Sequence, residues 1–152
     1  MKPIFATDER ILPFEREKVW HVLANVAVYA DWWPRSVGLR VLHAAPEIIG
    51  SSLPLRPLGG RAFRCRIESL ESPNAMRMKY FGGFIEGQGE WRLEALGSET
   101  RVQFELDVQA VGRFVACLAK RLPLNRFHSY QMKQVLRNLE RKVCRTHLHP
   151  LK

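Results

Sequence analysis

Apolar and polar residues alternate with a period of two through the middle of the chain, and recur with a helical period on either side. Thr7 to Phe14, "TDERILPF", predicts a first strand. In "EREKVWHVLANV", which follows, Val19, Val22, Leu23 and Val26 recur at i, i+3, i+4 and i+7, one face of a helix. Pro13, Glu15 and Glu17 suit its start, because the positive end of the helix dipole favours carboxylates. A second short helix is expected over "AVYADWW", ended by Pro34, since a residue before proline is pushed out of helical geometry.

From Val37 onward the pattern is that of short strands. "VGLRVLHAA" is one, and "SSLPLRPL" reads as an edge interrupted by proline. "RAFRCRIESL" sets Phe63, Cys65 and Ile67 against Arg64, Arg66 and Glu68, and "AMRMKYF" sets Met76, Met78 and Tyr80 against Arg77 and Lys79. "FIEGQGEWRLE" places Ile85, Gly87, Gly89, Trp91 and Leu93 on one face, and "TRVQFELDV" does the same with Val102, Phe104, Leu106 and Val108. One wet and one covered face per strand is the signature of an antiparallel sheet with one side in solvent. Gly59-Gly60 and Gly82-Gly83 mark hairpin turns.

The last segment is helical. Between Asn125 and Val143, His128, Met132, Val135, Leu139 and Val143 fall within an arc of about 80° at roughly 100° per residue, while Arg126, Lys133, Arg137 and Arg141 fall opposite. Pro123 separates this helix from a shorter one, Arg113 to Arg121. A strand, two short helices, a run of about six antiparallel strands and one long helix make an α+β domain in which the helix must cover the apolar sheet face.

Two glycines in phase with Trp91 and Leu93 are then the puzzle of the pattern. Gly87 and Gly89 remove two side chains from the covered face, either to leave a cavity wall for a ligand or to let the sheet bend.

Composition adds location to this picture. The 152 residues suffice for one domain, with a core over about 4–143 and a C-terminal tail over 144–152. From Arg113 to Lys152 ten Lys and Arg face the single acid Glu140, so the whole net charge of +9 sits on the C-terminal segment. No apolar run reaches the roughly 18 residues of a membrane span, and "MKPIFATDER" meets charge too early for a secretory signal. Cytoplasmic residence is the expectation, with peripheral membrane association through the basic helix as an extension. Three cysteines, Cys65, Cys117 and Cys144, lack C-x-x-C spacing and read as buried or semi-buried thiols. Cys144, His147 and His149 are near one another in sequence, but a frayed polar tail explains them better than a metal site.

"VWHVLANVAVYADWWP", followed by "GGFIEGQGEWRLE", "GSETRVQFELDV" and the final amphipathic helix, resembles the START-like (SRPBCC) superfamily, in particular its polyketide cyclase/dehydrase and coenzyme Q-binding branch. The resemblance runs from Ile4 to about Val143. It implies the helix-grip fold, a curved antiparallel sheet of six or seven strands around a long C-terminal helix. It also implies a lipophilic small-molecule ligand, a lipid, quinone or polyketide-like compound, held between sheet and helix. Relatives include lipid carriers, cyclases and ribosome-associated proteins, so fold alone does not choose among them.

Candidate binding residues are those on the covered faces: Trp33, Phe63, Ile67, Met78, Tyr80, Gly87, Gly89, Phe104, Leu106, His128, Met132 and Val135. Of the Trp32-Trp33 pair, either one lies in the core and the other at the pocket mouth, or both lie in the core. His128 is the one candidate for catalysis, since an imidazole on an apolar stripe can orient a carbonyl or exchange a proton, although a histidine satisfied by a neighbouring backbone group is the commoner case. No cofactor or metal is expected. Arg126, Lys133, Arg137 and Arg141 either offer a face to an anionic membrane surface or form a solvated face that keeps the protein soluble. A nucleic-acid or ribosome partner is less favoured, because no strand combines aromatic and basic residues in the way that stacks bases.

Overall fold

The final strand and its neighbour show why this sequence makes a sheet. Glu99–Ala110 (β6) buries Thr100, Val102, Phe104, Leu106, Val108 and Ala110 and leaves the intervening residues at least partly in solvent. It pairs antiparallel with Ile85–Leu96 (β5) over its whole length, from Ile85 opposite Ala110 to Leu96 opposite Glu99. The two-residue connection uses Gly97 at φ +66°, the left-handed conformation that tight hairpins require.

The architecture comes from a computed structural model that describes residues 3–35, 52–55, 63–83, 85–121 and 123–148. The other strands are Ile4–Leu12 (β1), Ser52–Leu55 (β2), Phe63–Glu71 (β3) and Ala75–Phe81 (β4), and the sheet order is β1-β6-β5-β4-β3-β2. Every neighbouring pair is antiparallel, and the first strand closes on the last, with Ile4 opposite Val108 and Leu12 opposite Thr100. Six strands among the described residues agree with the expected sheet. The proline-interrupted segment is the edge strand β2, where Pro54 removes a donor that a central strand would need. The strand expected over Val37 to Ala45 and the turn at Gly59-Gly60 lie outside the described residues. In β3 the register shifts between Ile67 and Ser69, so the simple alternation of that strand stops after Ile67.

Helix α1 (Arg16–Leu23) buries Val19, Trp20, Val22 and Leu23; a 3₁₀ turn (Val26–Val28) and α2 (Tyr29–Trp32) follow and stop before Pro34. Helix α3 (Arg113–Arg121) ends two residues before Pro123, and α4 (Leu124–Leu148) begins just after it. At about 1.5 Å per residue, the 25 residues of α4 extend roughly 37 Å. Its buried stripe is Met132, Val135, Leu136, Leu139 and Val143, while Arg126, Lys133, Arg137 and Arg141 are exposed. The helix packs on β1 and against α1 and α2, the helix-grip arrangement that the resemblance implies.

The helix also continues further than the sequence pattern suggests, to Leu148 in place of a tail from residue 144. Thr146 Oγ1 donates to the carbonyl of Lys142 at 2.8 Å, and the His147 ring meets that of His21 edge-on with centroids 5.8 Å apart. Packing against α1 thus holds an end that lacks an apolar repeat. His149 lies outside the described residues.

The core is one cluster. Leu12, Val19, Leu23, Ile67, Met76, Trp91, Val102, Leu139 and Val143 have no accessible surface. Each contributes about 1.5–3 kcal/mol by leaving water. Thr100 is buried with them, its hydroxyl donating to the carbonyl of Phe14 at 2.7 Å, which fixes the chain as it leaves β1.

Candidate functional site

Register places a run of aromatic and polar side chains across the covered face. Cys65 on β3 stands opposite Tyr80 on β4, Tyr80 opposite Gly87, and Met78 opposite both Ile67 and Gly89. On the other side of β5, Gly89 stands opposite Leu106 and Trp91 opposite Phe104. Phe104 in turn stands opposite Asp8 on β1.

The two glycines prove to have different reasons. Gly87 has φ +150°, and a Cβ there would collide with the carbonyl oxygen of Asp107 and lie 2.6 Å from Val108 Cα. Close backbone approach to β6 therefore demands glycine. At Gly89 a Cβ would lie 2.9 Å from Phe104 Cζ and 2.9 Å from Tyr80 Cε2. The space vacated at Gly89 is occupied by the tips of two aromatic rings, one from each neighbouring strand.

At one end of this run is a buried cluster of hydroxyls and a thiol. Burial pushes the Cys65 thiol up to about 12, with the hydrogen bond from Tyr80 opposing the rise. Burial also drives Tyr80 and Tyr29 well above the ordinary phenol range, reinforced in both by Cys65. The Tyr29 hydroxyl donates to the carbonyl of Leu23, so the 3₁₀ turn is tied back to α1. Tyr29 stacks on Trp33 with centroids 5.4 Å apart and meets Trp32 edge-on at 5.0 Å. Trp32 is buried, and Trp33 is half-buried and packed against the core; Nε1 of Trp33 is covered and lacks a hydrogen-bond partner.

At the other end is His128, in the first turns of α4. Its ring stacks on Phe104 with centroids 5.9 Å apart, and Phe104 packs on Trp91 at 4.7 Å. Nδ1 of His128 lies 3.8 Å from Asp8 Oδ2, beyond hydrogen-bond reach, and is buried without a partner. Ser129 Oγ donates to the same Asp8 oxygen at 3.2 Å. Burial lowers the His128 pKa and the nearby Asp8 partly offsets it, so the imidazole is neutral at pH 7. A neutral ring nitrogen of this kind can accept a hydrogen bond from a bound hydroxyl or donate one to a bound carbonyl, and Asp8, which faces the same nitrogen, can steady a transient positive charge on the ring.

Of the candidate residues, Ile67, Met78, Tyr80, Gly89, Phe104, Leu106, Met132 and Val135 are buried, Gly87, Trp33 and His128 are partly so, and the side chain of Phe63 lies outside the described residues. The structure gathers Tyr80, Gly89, Phe104 and His128 into contact and leaves Trp33 with Tyr29 at the far side. Cys117, expected as a covered thiol, is exposed, and Cys144 is half-buried. Asp8 and Ser129 are additions. Asp8 shares its strand face with Ala6 and Leu12, both buried, and that phase was the available signal. Ser129 adjoins His128 in sequence but lies off the apolar stripe, so periodicity alone does not mark it.

A family described as polyketide cyclase/dehydrase and lipid transport matches residues 5–143. Among proteins of curated function, no sequence matches. Solved structures with the same fold include the Zhui aromatase/cyclase from Streptomyces sp. R1128, with a TM-score of 0.74 at 15% identity over 95% of each chain. A START superfamily protein from Mycobacterium smegmatis gives 0.65 at 17% identity, covering 91% of this chain and 96% of that one. Norcoclaurine synthase from Thalictrum flavum, in complex with dopamine and hydroxybenzaldehyde, gives 0.73 at 10% identity, covering 99% and 90%. At these identities the likeness is one of fold.

Proposed function

The chain belongs to the polyketide cyclase/dehydrase and lipid transport family, and from that premise we propose that it binds a lipophilic small molecule between the sheet and α4, with His128 at the polar end. The observation that carries this reading is the unpartnered, buried Nδ1 of His128, whose ring stacks on Phe104 at the edge of the apolar sheet face. An unmatched polar atom costs about 1–3 kcal/mol when no partner is present, and a ligand oxygen would remove that cost. A lipid, a quinone or a polyketide-like molecule each combines an apolar body with such an oxygen. To enter, it must displace the ring tips of Tyr80 and Phe104 that fill the space over Gly89.

A second reading is cyclase-like chemistry, favoured by one observation, the Asp8–His128 pair. A neutral imidazole backed by an acidic group is suited to moving a proton to or from a ligand carbonyl. The exposed Arg126, Lys133, Arg137 and Arg141 suit presentation of the ligand at an anionic membrane, each charge contributing about 1 kcal/mol near such a surface. Among the described residues, no helix is long and apolar enough to cross a membrane.

Native mass spectrometry of protein purified without detergent from its own source tests the binding reading. A non-covalent adduct that extracts into organic solvent, and is reduced in His128→Gln, is the expected result. A bare chain that also fails to take up added lipids, quinones or aromatic polyketides would sink it.

A further inference from the structure

An open groove lies outside the sheet–helix interior. Where β1 ends, α1 begins and the C-terminal half of α4 passes, a groove of about 830 Å³ opens to solvent. Pro13, Phe14 and Leu148 give it apolar surface, and Leu148 is 61% exposed. Arg10, Lys18, Arg137 and Arg141 line it together with the acids Glu15 and Glu140.

The charges are unequally matched. Glu140 Oε2 pairs with Arg10 Nε at 2.5 Å, and Glu15 Oε2 approaches Lys18 Nζ at 3.9 Å. Arg137 and Arg141 have no ion pair or hydrogen bond among the described residues. Four residues apart, they stand one above the other on the helix surface, where like charges repel by a few tenths of a kcal/mol. The helix dipole does not account for them. Its field falls off within the last turn, and Arg145 already occupies that turn. Two adjacent unpaired guanidinium groups bordering apolar surface instead have the makings of a receptor for an anionic head with a greasy tail, because arginine matches carboxylate and phosphate oxygens in bidentate fashion.

We propose that this groove binds a single-chain anionic amphiphile, its carboxylate or phosphate monoester on Arg137 and Arg141 and its chain along Pro13, Phe14 and Leu148. The site is separate from the interior, since α4 turns Leu136, Leu139 and Val143 toward the core and these arginines away from it. Its volume falls within the range of about 300–1,000 Å³ typical of small-molecule sites. Head and tail are both required. Exposed charge pairs alone contribute little, whereas each methylene withdrawn from water adds about 0.8 kcal/mol.

Cys144 lines the groove and is half-buried, which makes it a reporter. In a Cys117→Ser background, which removes the exposed thiol, the rate of Cys144 alkylation by iodoacetamide is followed against dodecyl phosphate or laurate kept below micelle formation. Saturable protection by at least one of them is expected, and the tighter of the two identifies the head group. Arg137→Gln with Arg141→Gln should raise the half-protecting concentration by about tenfold or more, the loss expected for charge-assisted hydrogen bonds. Inorganic phosphate and dodecanol at the same concentrations should not protect, and His128→Gln should leave protection unchanged. The proposal is overturned if neither amphiphile protects, if the double variant binds as well as the parent, or if phosphate or dodecanol protects equally. Loss of protection in His128→Gln would also overturn it, by placing the amphiphile in the interior.

Discussion

The two halves of α4 meet the rest of the molecule in different ways. Toward its C-terminus, Leu136, Leu139 and Val143 are buried in the apolar cluster that includes Leu12, Val19 and Leu23, and the part-buried Thr146 and His147 follow only in the last turn. Toward its N-terminus the same stripe holds His128, stacked on Phe104 and facing Asp8 without a hydrogen bond. An apolar seam of this kind favours one close-packed arrangement, because any void forfeits both transfer energy and dispersion contacts. A buried polar pair with an unsatisfied nitrogen does the opposite, since it weakens the empty state relative to one in which a ligand supplies the missing partner. Apolar packing is thus concentrated in one half of the helix, and the ligand recognition we propose in the other.

The largest effect should come from the apolar half. Leu139→Ala, at a site with no accessible surface, is expected to cost about 2–5 kcal/mol in urea denaturation, by lost transfer energy and the cavity left behind. A cost under about 1 kcal/mol would erase the contrast, since that is the range of an ordinary surface site.

Next comes the sheet beneath the polar half, where the two glycines separate. Gly87→Ala should destabilise by about 1–3 kcal/mol, because its Cβ meets the β6 backbone, which cannot yield. Gly89→Ala presses only on the ring tips of Phe104 and Tyr80, so its stability loss should be smaller and its effect on ligand uptake larger. Equal losses of stability, with uptake unchanged in both, would remove the reason to regard Gly89 as part of the site.

The smallest effect is one of pH. In the folded chain His128 titrates below its ordinary value of 6.5, so between the two values the unfolded chain binds the additional proton. Stability supplied by the neutral ring is therefore complete above about pH 6.5, falls as pH drops below it, and levels off beneath the folded pKa, with a slope below about 1.4 kcal/mol per pH unit for this single group. His128→Gln should remove that increment. An identical pH profile in parent and variant would show that burial does not set this titration.

These contrasts were only partly visible in the amino-acid order. The faces of β5 and β6 and the stripe on α4 could be assigned from period alone, since burial on one side leaves its mark on every second or every third-to-fourth residue. Asp8 escaped because its strand begins at Ile4, earlier than "TDERILPF" suggests, and a charged residue between Ala6 and Leu12 hides the phase. The bulge after Ile67 is backbone geometry, and Gly87 carried a conformational demand that its position on the covered face could not reveal. The last turn of α4, held by His147 against His21, depends on a partner distant in sequence.

The central claim, that His128 marks the polar end of an internal ligand site, is most directly tested by imidazole-detected NMR during titration with a short-chain quinone, a fatty acid and a hydroxylated naphthalene. The account predicts that at least one of them binds saturably and shifts the His128 ring resonances more than those of His21 and His147, with no such shift in His128→Gln. Saturable binding that moves only the other histidines, or no binding by any of the three, would contradict it.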